Sequence, residues 1–197
     1  MPSDDVPEDF YERIRPKLYR RIGREISLAH RVLDLGCGKC ALAEFLSKAY
    51  HQRVTGVDVA DGRAEPHDKR GRSHSSVRCI QADAADLEFV QDRSMDAVVT
   101  TWALHEMERP QRALAEACRV LRPGGRLLVV DFLSGSLAQR LWNEHYFTSS
   151  EVRQLLLEAG FHRVRARNAF QNQVIWSAGS RPPENELRVS RGKRISW

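Results

Sequence analysis

The spacing of apolar residues along this chain changes repeatedly, and each change predicts an element. Over residues 10–29 (FYERIRPKLYRRIGREISLA), Ile14, Leu18, Ile22 and Ile26 recur at four-residue steps. That is the signature of an amphipathic helix, which Pro16 is expected to kink or split. RVLDL (31–35) is short and apolar and reads as a buried strand. Leu42, Phe45, Leu46 and Ala49 then share one helical face within 39–50. RVTGVDV (53–59), VRCIQA (77–82) and MDAVVTT (95–101) read as further strands, while residues 60–76 carry no apolar stripe and read as a short helix or a loop. Pro110 suits the first turn of a helix whose apolar face is Leu114, Cys118 and Leu121, stopped by Pro123-Gly124-Gly125. RLLVVDF (126–132) is a fifth strand. Thr148 with Glu151 predicts a capping box that opens a helix over 149–159, and Gly160 closes it. Residues 161–167 and 172–178 are plausible last strands.

Strands alternating with helices through short connections predict an α/β fold: a doubly wound, Rossmann-like, mostly parallel sheet with helices on both faces. In such sheets ligands bind beyond the carboxyl ends of the strands, where the strand order reverses.

Composition narrows this picture. The 197 residues suit one domain, and 42% hydrophobic with 29% charged content is globular. There is no apolar run of membrane-spanning length and no basic-then-apolar leader, so a cytoplasmic protein is expected. The expected divisions are a disordered 1–9, an N-terminal helical lid at 10–30, the main domain at 31–178 and a flexible tail at 179–197. Net charge is +5, and much of it falls in that tail through Arg181, Arg188, Arg191, Lys193 and Arg194. Such a tail is either a solvated end or a grip on nucleic acid or another polyanion. Cys37 and Cys40 form a C-x-x-C, but neither a second pair nor a histidine pair at ligand spacing accompanies it, so no metal is expected.

The chemistry lies at the strand ends. GCGKCA (36–41) fits the glycine turn of dinucleotide-binding folds. Asp34, however, stands two residues before its first glycine, where a carboxylate would repel a pyrophosphate and attract a cation. The second strand ends on Asp58, 20 residues after Gly38, at the position of a ribose-binding acid. The third ends before Asp83, which can accept from an exocyclic amine. Three acids on three successive strand ends, with no Arg or Lys set for phosphate, describe a cationic adenosine ligand. S-adenosylmethionine is one.

With these residues the chain resembles the class I S-adenosylmethionine-dependent methyltransferases, nearest the ubiquinone/menaquinone-biosynthesis group. The similar segments are VLDLGCGKC, VTGVDV, CIQADAADLEF, MDAVVTTWALHEM, EACRVLRPGGRLLVVDF and FTSSEVRQLLLEAGF, spread over residues 10–178. The resemblance implies seven strands with the last antiparallel, and S-adenosylmethionine as cofactor with S-adenosylhomocysteine as product. It also implies cofactor contacts at Asp34, Gly36, Cys37, Gly38, Asp58, Val59, Asp83, Ala84, Thr101 and Trp102.

The reaction implied is in-line methyl transfer to a small organic acceptor. His105 is the candidate base, with Glu106 beside it. Tyr11, Tyr19, Trp142 and Tyr146 are candidates for the acceptor pocket, Tyr11 and Tyr19 because the family's N-terminal helix commonly covers the cofactor. The alternatives are an RNA or protein methyltransferase gripping through the basic tail, a cofactor-binding module without turnover, and a nicotinamide oxidoreductase, against which Asp34 argues. TTWALH (100–105) lacks the Asn/Asp-Pro-Pro-Tyr signature of nucleobase-amine methylation. The oligomeric state is not legible in the sequence.

Overall fold

The computed structural model describes residues 6–60 and 76–183. Its centre is a seven-stranded sheet in the order β3-β2-β1-β4-β5-β7-β6. Strands β1 (Arg31–Leu35), β2 (Arg53–Asp58), β3 (Val77–Gln81), β4 (Met95–Thr101) and β5 (Leu121–Phe132) run parallel. β7 (Val174–Ser180) lies antiparallel between β5 and β6 (His162–Ala169). The expected architecture, including the reversed last strand, is the one observed.

Two apolar clusters cover the two faces. Helices α1 (Phe10–Glu25) and α2 (Ala41–Tyr50) press Leu18, Ile22 and Leu46 onto one. Helices α3 (Pro110–Val120) and α5 (Ser149–Glu158) press Leu114, Ala117 and Leu156 onto the other. β1 and β4 are buried almost throughout, as strands covered on both faces must be. A short α4 (Leu137–Trp142) occupies the stretch between β5 and α5.

Several expectations change. Pro16 sits inside one continuous α1 rather than dividing it. Pro123-Gly124-Gly125 does not form a separate turn after α3. α3 stops at Val120, Leu121 already pairs with Met95, and the register shifts before Arg126 pairs with Ala97. The three residues therefore bulge within β5, and Gly124 takes φ +77°, a conformation that favours glycine. Within the expected disordered 1–9, Val6 is buried in the core and the Phe10 N–H donates to the Pro7 carbonyl. The expected tail starts too early: Gly179 and Ser180 belong to β7. The Arg181 guanidinium donates to the carbonyls of Cys118, Arg119 and Leu121 where α3 gives way to β5. The remaining tail charges and the polar 61–75 segment lie outside the described residues. Thr148 and Glu151 form the predicted capping box, with the Glu151 N–H 3.2 Å from Thr148 Oγ1 and the Thr148 N–H 2.6 Å from Glu151 Oε2.

Candidate active site

Strand order reverses between β1 and β4, and a cavity of about 470 Å³ opens over their carboxyl ends. The volume is that of a small-molecule site. Of the predicted cofactor residues, Gly36, Gly38, Asp58, Val59, Asp83, Ala84 and Trp102 line it. Ala103, Glu106, Met107 and Glu108, from the segment after β4, join them, with Val57 and Ala82.

The turn after β1 is built from backbone. Gly36 and Cys37 N–H groups both donate to the Val57 carbonyl, at 2.8 and 3.1 Å. Gly36 takes φ +70°, and a Cβ there would stand 2.2 Å from the Ala103 Cβ, so only glycine fits between the two loops. Gly38 faces open space. Asp58 braces the turn from β2: its Oδ2 accepts from the Gly38 N–H at 2.7 Å and its Oδ1 from the Ala60 N–H at 3.0 Å.

Asp34 does not line the cavity. It is buried beneath the turn, and its Oδ2 has no partner. Burial, helped by the charge of Asp58, pushes its carboxyl up to about 7. Thr101 Oγ1 and the Trp102 indole Nε1 are likewise buried without partners. Buried polar groups are normally paired, so three orphans at adjoining strand ends mark a place built for a ligand. Trp102 also takes φ +57°, rare for a non-glycine residue and typical of functional sites. A buried carboxyl, an indole donor and backbone-lined glycines suit a ligand with an ammonium group and an adenosine.

Two predicted residues behave differently. Asp83 reaches the cavity, but its Oδ2 is 2.6 Å from Arg109 Nη2, an arginine the strand-end argument did not foresee. Its carboxyl is held below the usual range, first by the Ala85 N–H and then by Arg109. Cys37 does not line the cavity. Its sulfur lies 3.3 Å from that of Cys40, and Cys40 is joined to Cys79 by a disulfide. Burial, with Asp34 and Asp58 adding to it, pushes the Cys37 thiol up to about 12.

Beside the cavity stands an arrangement only partly foreseen. His105 lies in the short turn Leu104–Glu106 after β4, and Asp131, the residue before the last of β5, is fully buried. One Asp131 oxygen accepts from the His105 backbone N–H at 3.0 Å, and the other lies 2.8 Å from His105 Nδ1. Nε2 faces Glu144 at 3.6 Å and Glu106 at 3.9 Å. Burial opposes a charged imidazole, but the Asp131 hydrogen bond and the three carboxylate charges outweigh it, so the pKa of His105 is raised. Asp131 was missed in the sequence. Its signal was there, because it is one more acid at the end of an apolar strand.

Aromatic rings surround this pair. Phe132 stacks on Trp102 at 5.4 Å and meets Tyr11, Trp142 and Tyr146 at 4.7, 5.2 and 5.7 Å. Tyr146 is 4.8 Å from the His105 ring. Of the four predicted acceptor residues, Tyr11, Trp142 and Tyr146 thus come together. Tyr19 does not: it packs on Phe45 of α2.

Residues 33–129 match the family described as "Methyltransferase domain". The chain is 33% identical over 134 residues to the O-methyltransferase rstn1 of Aspergillus nomiae. It is also 33% identical over 123 residues to the ubiquinone/menaquinone biosynthesis C-methyltransferase UbiE of a Ruegeria species. It belongs to the class I S-adenosylmethionine-dependent methyltransferases. These matches cover 66% and 59% of the chain, and 59% and 49% of the two relatives, so the chain spans about half the length of such curated family members. The fold recurs in the 1,6-didemethyltoxoflavin-N1-methyltransferase of Burkholderia thailandensis, solved with S-adenosylhomocysteine bound. That match has a TM-score of 0.64 at 22% identity and covers 88% of this chain and 84% of that one. The family's cofactor is S-adenosylmethionine, and the orphaned Asp34, the Gly36–Gly38 turn and the open cavity fit it.

Proposed function

We propose that the protein methylates a small organic acceptor with S-adenosylmethionine, and that His105 takes the acceptor's proton. The observation that carries this reading is the His105–Asp131 pair beside the cavity, beneath the aromatic cluster. Asp131 accepts both the backbone N–H and the Nδ1–H of His105, which leaves Nε2, facing Glu144 and Glu106, as the basic atom. The tautomer follows from that hydrogen bond. When bound, the cofactor supplies an electrophilic methyl group, and the chain's own task is orientation and proton transfer.

Asp34 is assigned to the ammonium and Asp58 to the ribose hydroxyls. Asp83 and the Ala84 backbone are assigned to the adenine, and the Trp102 indole to a polar atom near the sulfonium. Thr101 flanks the same place. Tyr11, Trp142 and Tyr146 wall the acceptor. A hydroxyl acceptor is favoured for two reasons: relatives carry the name O-methyltransferase, and a hydroxyl must lose its proton, which gives His105 its use.

The test is transfer from methyl-labelled cofactor to a panel of phenols, alcohols and amines, read by mass spectrometry. Labelled ethers are the expected product. No transfer to any acceptor despite tight cofactor binding would instead favour a binding module. Transfer only to RNA or protein, lost steeply with salt, would favour the polyanion reading.

A further inference from the structure

We propose that Cys37, Cys40 and Cys79, once reduced, hold a single thiophilic cation of the zinc class behind the cofactor turn. The three sulfurs lie within 4.8 Å of one another, although the residues come from the turn after β1, the residue before α2 and the edge strand β3. Cys40 and Cys79 form a disulfide. A disulfide needs two sulfurs, and here a third stands 3.3 Å from Cys40 Sγ.

The strand beneath them is bare at this place. Gly56 of β2 lies under the cluster, and a Cβ there would stand 2.7 Å from Cys37 Sγ and 2.9 Å from Cys40 Sγ. The glycine thus clears the volume in which the sulfurs meet. A C-x-x-C pair joined by a distant cysteine is a common way to assemble thiolates around zinc. Sulfur donors select zinc and other soft ions over magnesium or calcium. Cys79 is exposed, so the fourth position of a tetrahedral ion opens to water.

The chemistry balances. A phosphine or dithiol gives two electrons to the Cys40–Cys79 bond and is itself oxidised, and each released sulfur takes a proton. One Zn²⁺ then displaces three thiol protons to give a tris-thiolate complex of charge −1 and three H⁺. The ion's task is structural. None of the five residues of β3 is fully buried, and Ala82, Asp83 and Ala84 of the cavity wall follow it directly. A cation shared by Cys79 and the C-x-x-C turn fastens this strand to the loop that carries Gly36 and Gly38.

The test uses the full chain, reduced with a phosphine, cleared of small molecules under argon and titrated with Co²⁺. Zn²⁺ then competes in the presence of a chromophoric chelator. One equivalent should bind, with sulfur-to-cobalt charge-transfer absorption of three-thiolate intensity that zinc displaces, and the unfolding temperature should rise. Cys79→Ser, at an exposed position, should weaken binding by on the order of a hundredfold, while Cys118→Ser should leave it unchanged. Three outcomes overturn the proposal: four free thiols without a charge-transfer band, Cys79→Ser binding as tightly as the parent, or a Cys40–Cys79 bond that survives the phosphine under native conditions. The wild-type spectrum decides the matter even if a variant fails to fold.

Discussion

At the scale of single residues, function rests on groups whose surroundings are incomplete or unusually charged. His105 acts as a base only when neutral. Its pKa is raised above the ordinary 6.5, so activity should fall as pH drops through a midpoint above that value. Asp131→Asn removes the largest raising influence and leaves burial in place, so the acid limb of the pH–rate profile should move to lower pH while kcat also falls. An unmoved limb would show that His105 is not the titrating group. His105→Asn should lower kcat by roughly 10²- to 10⁴-fold with cofactor affinity held, as measured by single-turnover kinetics and calorimetry. For the cofactor, Gly38→Val is a better probe than Gly36→Val. A side chain at Gly38 meets open space and carries only the backbone strain of φ +49°, whereas one at Gly36 carries that of φ +70° and also collides with Ala103, so Gly38 is the milder change. Both Gly38→Val and Asp58→Ala should abolish calorimetric binding of S-adenosylmethionine, and unchanged affinity in both would refute the site. That most of the chosen positions line the cavity was legible because such cavities open at strand ends. That Cys37 lies off the cavity was not legible because a motif does not say which way a side chain points, and Arg109 was missed because its approach to Asp83 spans 26 residues.

At the scale of elements, local signals read well where the local energy is large. The Thr148–Glu151 capping box satisfies N–H groups that no helix can satisfy for itself, and it stands as predicted. Thr148→Ala should cost about 1 kcal/mol. For a chain of this size that is a drop of about 2–4 °C in unfolding temperature, checked by scanning calorimetry. Signals failed where tertiary contacts compete with local preference. Pro-Gly-Gly has the chemistry of a turn, yet the ladder of β4 continues on both sides and makes it a bulge. Pro16 lacks a donor, yet α1 continues through it because Ile14, Leu18 and Ile22 on either side are buried in the core. β3 is the reverse case. It is a short edge strand with little apolar burial, and its sulfur contacts to the α2 turn are invisible in its own five residues.

At the scale of the whole molecule, the fold positions the site through its topology. Only a sheet whose order reverses between β1 and β4 parts their loops enough to leave a cavity between the glycine turn and the segment carrying Trp102. Ligand binding there should stabilise the entire domain. S-adenosylmethionine at about a hundred times its Kd should add about 2.7 kcal/mol, seen as a higher unfolding temperature, while NADH should add nothing. An equal shift with NADH would restore the dinucleotide reading of the glycine turn. The family resemblance implied the reversed last strand, while by itself the sequence determined the order of elements, the mostly parallel sheet, the glycine turn and the acids at three strand ends. Each is encoded locally, by apolar period, by caps and by the need of tight turns for glycine. The tertiary structure alone decided the pairing of His105 with Asp131, the gathering of Tyr11, Trp142 and Tyr146 with Trp102 and Phe132, the separation of Tyr19 from them, and the meeting of Cys79 with Cys37 and Cys40. These contacts join residues far apart in the chain, and strand order and packing, not local periodicity, set which of them touch.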